Sequence, residues 1–498
     1  MSGNQYALGI ALDSSGNVYV TGSFRGTTTV DTFTITTTGR YGIFLAKYDR
    51  DGHLDWVKSA TGNNDDEAQK IATDASGNVY IVGSFQDTIN FDNIKLITED
   101  GADEYYIAKY HQDGAVEWVK SIGQNGSGGY GLSIDQNSNI YITGSFEHTA
   151  QIGNFKLVDE QGIDGDIFIA KLHSDGSVVW AKRAGGKRTD AGHAIVVDPF
   201  GNINTTGYFE DTAYFDSSRV ITNYSDSERA NQFYIAKYQS NGDLIYANVM
   251  DKNPSVGVGI ANDGLGNTYV IGGSQNIFIA KYNSQGTIEW RKEIEGNHIG
   301  ISNIVLDALS NLYFTGFFSD TATFGNIGLS GIEDNLFIAK YQPDGNVEWV
   351  KKPDGVNRCY GTDIALDNFG NIYITGYYQG QLVLDRDTLR SDFASMFVWK
   401  IGSNTSAVQR NSYNSSFSLN PNPTNNTIHI NIETIESGKT QLTLLNLLGA
   451  RVATIWDAEL AIGTHSFDLN TNTLSEGSYF LMLQTPTMRK LEKLIIEK

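Results

Sequence analysis

Seven aspartates recur at matching places along the 498-residue chain, at Asp13, Asp74, Asp135, Asp198, Asp263, Asp307 and Asp367, each followed four residues later by an asparagine. A ring of carboxylates invites a cation, but calcium needs several oxygens converging on one point, as an Asp-x-Asp-x-Asp-Gly loop supplies. Each copy here offers a single carboxylate in an Asp-x-x-Gly/Ser-Asn turn, where Asp accepts a hydrogen bond from the backbone two residues on. The aspartates are therefore expected to form turns. Asp49-x-Asp51-Gly52 comes nearest to a calcium loop, yet later copies put His111, His173, Gln239, Asn283 and Gln342 at its first position, so it reads as a hairpin. A lysine also occurs in all seven units, at Lys47, Lys109, Lys171, Lys237, Lys281, Lys340 and Lys400. It is expected to end a strand and reach solvent with its ammonium. The eight histidines include no His-x-x-x-His pair for zinc. Cys359 stands alone, without the His and Asn context of a nucleophile, and no intrachain disulfide is possible. The chain lacks a Gly-x-Ser-x-Gly elbow, a phosphate loop and a dinucleotide fingerprint. No catalytic, cofactor-binding or metal residue is assigned, and no cofactor is expected. Paired carboxylates of the glycosidase kind would come from different units, where spacing does not reveal them.

These residues sit in one repeating unit. The Asp turn leads into a short apolar run closed by glycine, at Gly22, Gly83, Gly144, Gly207, Gly272, Gly316 and Gly376, and successive copies lie 61, 61, 63, 65, 44 and 60 residues apart. A Phe/Tyr-x-Ala-Lys-Tyr phrase follows, then Gly-x-x-x-Trp at 52–56, 114–118, 176–180, 286–290 and 345–349, kept as Gly242 to Tyr246 in the fourth copy. Each unit converts into four strands with turn signals between them, for example Ile10 to Leu12, Val18 to Thr21, Phe44 to Tyr48 and Leu54 to Val57. An excursion between the second and third strands, such as Thr88 to Ile97, reads as a further hairpin, which the fifth unit lacks. Four strands repeated seven times without helices predict a seven-bladed β-propeller. A β-helix is the rival fold, but its shorter coils would not need three turns per unit.

Composition agrees. The chain is 40% hydrophobic and holds 53 Gly, 7 Pro and 26 Tyr, which favours strands and tight turns. A net charge of −21 argues against nucleic acid and against docking on anionic membranes. No run approaches the length of a membrane span. Met1 to Tyr6 shows no signal peptide.

The propeller is expected over 1–401, with repeats near 6–60, 61–122, 123–184, 185–250, 251–294, 295–353 and 354–401. The seventh unit stops at Lys400 without a Gly-x-x-x-Trp strand, and the first opens directly on its first strand. The expectation is a chain truncated at its N-terminus, with the missing strand and a signal peptide upstream, and an open seam between units one and seven. The units resemble a bacterial β-propeller repeat family, through Gly16-Asn17-Val18-Tyr19-Val20-Thr21-Gly22-Ser23-Phe24 and Ile167-Phe168-Ile169-Ala170-Lys171. That resemblance covers 6–401 and implies fold rather than function.

Residues 402–416 break the repeat and read as a flexible linker. From 417 to 498, six short strands with turns at Leu448-Gly449 and Glu476-Gly477 indicate a small Ig-like β-sandwich. This segment resembles the type A C-terminal sorting domain of type IX secretion cargo. The carriers are Pro421-Asn422-Pro423, Leu444 to Val452 around Gly449, Leu474 to Leu481 around Gly477, and the terminal Lys493 to Lys498. The resemblance implies export by the type IX machinery of a Gram-negative, Bacteroidetes-like bacterium. It further implies removal of the tail by a surface sortase-like protease, and a mature protein that is secreted or held on the outer-membrane surface.

Where the units differ, a site could hide. Asn204-Thr205 replaces the Tyr-Ile/Val pair in unit four, Tyr246 replaces Trp, and Trp399 replaces Ala in unit seven. The long excursion of unit four, Tyr214 to Asn231, carries Tyr224, Asp226, Glu228 and Arg229, which form the candidate ligand loop. Two functions follow: a monomeric, non-enzymatic platform for a glycan or protein ligand, or a secreted propeller enzyme of polysaccharide lyase or glycosidase type. Near-uniform repeats favour the first, because catalysis needs a few blades to diverge in polar residues.

Overall fold

The computed structural model describes residues 4–498 apart from 99–102, 125–130, 160–164, 217–219, 223–229, 250–254, 275–276, 357, 385–386, 403–416, 435–436, 447–450 and 486–488. Among the described residues the chain is all strand and turn. In blade one, Gln5–Leu12, Val18–Phe24, Gly42–Tyr48 and Leu54–Gly62 pair as an antiparallel meander from the inner strand outward. The second strand is buried at every position, and so are all but the last two residues of the third. A sheet covered on both faces reads as a continuous apolar run, which is why this pair shows no alternation. Blades two to six repeat the order. One long strand, Ile288–Leu306, serves as the outer strand of blade five and then the inner strand of blade six. The excursions are hairpins, as in Thr88–Phe91 with Ile94–Ile97, and those of blades two and four pair with the outer strand of the blade before.

The glycine that closes each apolar run has a steric cause. The inner strand carries a β-bulge, which leaves Leu8, Gln69, His193, Val258, Ser302 and Thr362 without a cross-strand partner. The bulge presses an inner-strand carbonyl onto the second strand, so a Cβ on Gly22 would stand 1.9 Å from the Tyr6 oxygen, and one on Gly376 1.9 Å from that of Tyr360. Only glycine fits that approach.

The seven aspartates form turns, as expected, and do more than one bond's work. Asp74 Oδ1 accepts from the Ser76 and Asn78 amides at 2.9 Å, while Oδ2 accepts from Asn78 Nδ2 at 2.9 Å and the Tyr80 hydroxyl at 3.0 Å. The same four-bond hub recurs around Asp13, Asp135, Asp263, Asp307 and Asp367. Burial pushes the Asp13 carboxyl up, but the bonds from Asn17, Tyr19 and Ser15 outweigh it and hold the group below its usual range. In blade four Asn204 stands in place of the tyrosine, and Lys237 Nζ reaches Asp198 Oδ2 at 2.8 Å with both side chains sealed, 1% and 0% exposed. The lysines were expected to reach solvent. Lys237 does not, and Lys109 is buried over the Tyr80 ring at 5.7 Å.

The faces of blades one and seven meet, and the expected open seam is confined to the missing fourth strand of blade seven. The inner strands of all seven blades neighbour one another around the ring, including Gln5–Leu12 against Cys359–Leu366. Ser302 Oγ donates to the Gly361 carbonyl at 2.6 Å, and Thr362 Oγ1 donates in the same way to Ala7 at 2.7 Å, so blade seven grips blade one as blade six grips blade seven. Ile10 N donates to Asp363 Oδ2 at 3.0 Å, and Tyr373 enters the blade-one core with Ile10, Val20 and Phe44. Blades are held by contact between faces, so the ring closes without a shared outer strand. Blade seven itself has three main strands, Cys359–Leu366, Ile372–Leu384 and Asp387–Ile401, and no described strand pairs with the outer edge of the last. Trp399 is buried in the core between blades six and seven.

The C-terminal domain is a sandwich of a three-stranded and a four-stranded sheet. Its core holds Ile428, Ile430, Ile432, Leu442, Leu444, Leu481, Leu483, Leu494 and Ile496. Phe417–Asn420 adds a seventh strand to the expected six. The four-stranded sheet rests on the turns of blades four and five, where Phe200 meets Phe480 edge to face at 5.0 Å and Leu445 and Met482 close the contact.

Asp74→Ala is expected to cost about 2–3 kcal/mol, since it strips a buried hub of charge-assisted hydrogen bonds. Asp198→Ala should cost more, about 3–5 kcal/mol, because Lys237 is left as a buried unpaired charge. Urea melts with and without EDTA check both, and the chelator should change neither wild type nor variant.

Candidate binding face

The Asp turns and the Asp-Gly hairpins occupy one face of the propeller. The opposite face carries the inter-blade turns and the excursions, and here the blades cease to be copies. Directly after the closing glycine, blades one to three have Ser23, Ser84 and Ser145, whereas blades four, six and seven have Tyr208, Phe317 and Tyr377. Two residues before the bulge, blades one and seven have Tyr6 and Tyr360. Inner and second strands lie side by side, so these two positions meet across the seam.

The result is a continuous aromatic run over blades six, seven and one. Phe317 meets Tyr360 at 4.9 Å, Tyr360 stacks on Tyr377 at 4.8 Å, Tyr377 meets Tyr6 edge to face at 4.9 Å, and Tyr41 extends the run at 6.2 Å. All five rings are half-buried. Asp334 anchors the run by accepting from the Tyr360 hydroxyl and Ser319 Oγ. Burial raises the Asp334 carboxyl, while those two bonds and the charges of Arg358 and His298 win and hold it below its usual range. Burial and the same carboxylate push the Tyr360 phenol up.

A second cluster lies at blades three and four. Asp190 accepts from the Gly186 amide at 2.7 Å and the Glu210 amide at 3.0 Å, which ties the inter-blade turn to the excursion. Arg183 Nε pairs with Asp166 beside it. Burial, with the charge of Asp166 adding to it, lifts the Asp190 carboxyl well above its ordinary value. His193, the bulge residue, meets Tyr208 at 5.4 Å and bonds through Nδ1 to the Gly257 carbonyl at 3.1 Å, and burial pulls its imidazole below the usual range. In blade two the equivalent aspartate, Asp66, is fully buried and faces the Gly62 and Gln86 amides without closing a well-formed hydrogen bond. Burial lifts its carboxyl to about 7.

Between the clusters runs the central channel, about 440 Å³, lined by inner strands. Most blades place a small residue one step past the bulge, Gly9, Gly131, Ala194 or Gly259. Blades two, six and seven place Lys70, Asn303 and Asp363 there. Asn303 Nδ2 donates to Asp363 Oδ1 at 2.6 Å, and Lys70 Nζ stands 4.0 Å from the same oxygen. This polar bridge commits the Asp363 carboxylate to contacts with Asn303, Lys70 and the Ile10 amide. Among the described residues no cluster of His, Cys, Asp and Glu is arranged to hold a metal.

The candidate ligand loop, Tyr224, Asp226, Glu228 and Arg229, lies outside the described residues, as does Gly449. The other sorting-signal positions come together in space. Asn422 bridges to the terminal strand by donating from Nδ2 to the Lys493 carbonyl at 2.6 Å and accepting the Ile495 amide at 2.9 Å. Pro421 and Pro423 flank it, Lys498 Nζ donates to the Asn472 carbonyl at 3.0 Å, and Gly477 opens its strand at φ +146°. The aromatic run was missed in the sequence. The signal lay in aligning the seven units by their closing glycines and comparing the next residue.

Comparison with known proteins agrees with this architecture. Residues 418–497 match the family described as the secretion system C-terminal sorting domain, and residues 357–377 match the β-propeller repeat family. The protein is thus a β-propeller carrying the sorting tail of type IX cargo, a secreted or cell-surface protein of the Bacteroidetes kind. An uncharacterised WD repeat-containing protein of Acanthamoeba polyphaga mimivirus is 25% identical over 75% of this chain, and the chain spans 30% of that relative's length. Among solved structures, a protein of unknown function from Bacteroides caccae aligns at 13% identity, with a TM-score of 0.35, over 62% of this chain and 89% of its own. A puromycin hydrolase mutant aligns at 11% identity, with a TM-score of 0.41, over 86% of this chain and 59% of its own. No helix is long and apolar enough to cross a membrane among the described residues.

The raised Asp66 carboxyl predicts a pH dependence. A carboxyl titrating near 7 in the fold and near 3.8 when unfolded contributes stability that is complete below the lower value and lost as pH rises through the upper one. Asp66→Asn should therefore gain on wild type between about pH 5 and about pH 8, as read by urea melts at the two values.

Proposed function

We propose that this protein is an exported, non-enzymatic binding platform that takes a glycan or protein ligand on the aromatic run of blades six, seven and one. The observation that carries this reading is where the copies diverge: in half-buried aromatic rings at a channel mouth, with Asp334 and Arg358 beside them. Rings of this kind supply large contact area at low entropic cost, and flanking charged groups orient polar ligands. The sorting tail supports delivery to the surface of a Gram-negative bacterium. There a sortase-like protease would remove it and leave a monomeric propeller.

The specific observation behind a hydrolase or lyase reading is the neighbouring pair Asp166 and Asp190. Each carboxylate already has a holding role, Asp190 on two loop amides and Asp166 on Arg183. Binding is therefore the reading preferred.

Two measurements test this. The full chain probed on glycan and protein arrays should find a ligand, and Tyr377→Ala or Phe317→Ala should weaken it about ten-fold, the worth of one anchoring ring. Turnover of a polysaccharide, or a ligand indifferent to both substitutions, would overturn the proposal. Separately, residues 417–498 fused to a reporter behind a signal peptide should reach the surface of a type IX-competent host. A reporter held in the periplasm equally with and without the tail would refute the export route.

A further inference from the structure

Beside the aromatic run, the last strand of blade seven, Asp387–Ile401, bulges away from its partner. Between the pairs Tyr378–Ser395 and Gly380–Ser391, residues 392–394 stand opposite Gln379 alone, and Gly380 takes φ +97°. A bulge of this kind interrupts the ladder and bends the strand. Here it adjoins a cleft of about 470 Å³ lined by Glu333, Arg358, Gln379, Gly380, Ser391 and Asp392. The cleft is continuous with the run along two segments of chain. Glu333 immediately precedes Asp334, which accepts from the Tyr360 hydroxyl. Two residues along from the stacked pair Tyr360 and Tyr377, the same strands bring Arg358 and Gln379 together, with Gln379 N donating to the Arg358 carbonyl at 2.9 Å.

The charges in this cleft do not neutralise one another. Glu333, Arg358 and Asp392 are all exposed, and none has an oppositely charged group at ion-pair distance among the described residues. Gln379 is held at the wall, its Nε2 donating to the Asp392 carbonyl at 3.0 Å. The cleft therefore offers two carboxylate acceptors and one guanidinium of five N–H donors, in a volume within the range of small-ligand sites. Directly beside it lie the half-buried rings of Tyr360 and Tyr377.

We propose that this cleft and the aromatic run form one site for an uncharged sugar chain. The proposal rests on the reading of the run as the binding face and narrows its ligand. A pyranose has an apolar C–H face and a rim of hydroxyls, which matches an aromatic surface that passes into a polar cleft. One sugar rests on the rings. The hydroxyls of its neighbour donate to the Glu333 and Asp392 carboxylates and accept from Arg358, in charge-assisted hydrogen bonds. An acidic sugar is disfavoured, because Glu333 and Asp392, with Asp334 beside them, outnumber the one guanidinium. A basic peptide would be drawn to the carboxylates, but Arg358 stands between its charge and theirs as a like charge in the same cleft.

The full chain is probed on an array that sets neutral gluco-, manno-, galacto- and xylo-oligosaccharides beside uronate and sulfated ones and a lysine-rich peptide. Neutral oligosaccharides are expected to bind, and the strongest is then titrated by calorimetry. Glu333→Ala combined with Asp392→Ala should weaken it at least about ten-fold, and so should Arg358→Ala. All three side chains are exposed, so the melting temperature of these variants should stay at the wild-type value. Raising salt from about 50 to about 500 mM should change the affinity by less than about two-fold, since an uncharged ligand brings no charge to screen. Absence of neutral binding, preference for the uronate, the sulfated sugar or the peptide, or a neutral ligand indifferent to the cleft substitutions would each overturn the proposal. Tyr377→Ala then separates the two readings: a ligand still lost in that variant leaves the aromatic binding face standing, and one that is retained removes it as well.

Discussion

Everything in the propeller rests on one constraint: each blade is a sheet apolar on both faces. Val18–Phe24 and Ile140–Phe146 are buried at every position, and such strands have no solvent side to turn outward. A stack of two-faced sheets is stable only when each has a neighbour on both sides, which a closed ring supplies to all of them. The same constraint explains why blade seven docks on blade one without an outer strand. Tyr373, Ile10 and Phe44 share one core across that contact, and Thr362 donates a hydrogen bond to the Ala7 carbonyl beside it.

The repeat and its exceptions have separate physical roles. Asp hubs, bulges and closing glycines recur because each blade solves the same local problem: a tight turn on one face and a close backbone approach on the other. Where a copy departs, a neighbour compensates. Asn204 removes a tyrosine hydroxyl from the blade-four hub, and Lys237 moves in to answer Asp198. Asp363 brings a carboxylate into the channel wall, and Asn303 and Lys70 gather on it from two other blades. The aromatic run keeps its five rings half-buried, and this sets it apart from replacements sealed in the interior, such as Asn204 and Lys237.

In the tail, motifs far apart in the chain prove to be one structure. Asn422 reaches across to Lys493 and Ile495, so the Pro-Asn-Pro segment and the terminal strand present a single surface. Phe200 and Leu265, from the turns of blades four and five, pack against the tail's Leu445, Met482 and Phe480.

Most of the architecture was legible in the chain because it is local and repeated. Asp-x-x-Gly-Asn, the closing glycine and Gly-x-x-x-Trp each act within a few residues, and seven copies remove the ambiguity that any one would carry. The excursion hairpins and the sandwich strands were readable for the same reason. What only the tertiary structure decided involves partners from different blades. Tyr6 and Tyr377 are separated by nearly the whole propeller and meet because the ring brings blade one beside blade seven. The Lys237–Asp198 pair depends on an asparagine that leaves space, and the closed seam depends on the summed burial of two faces. Sequence spacing encodes neighbours along a strand and across a hairpin, whereas contacts between blades follow from the curvature of the whole ring.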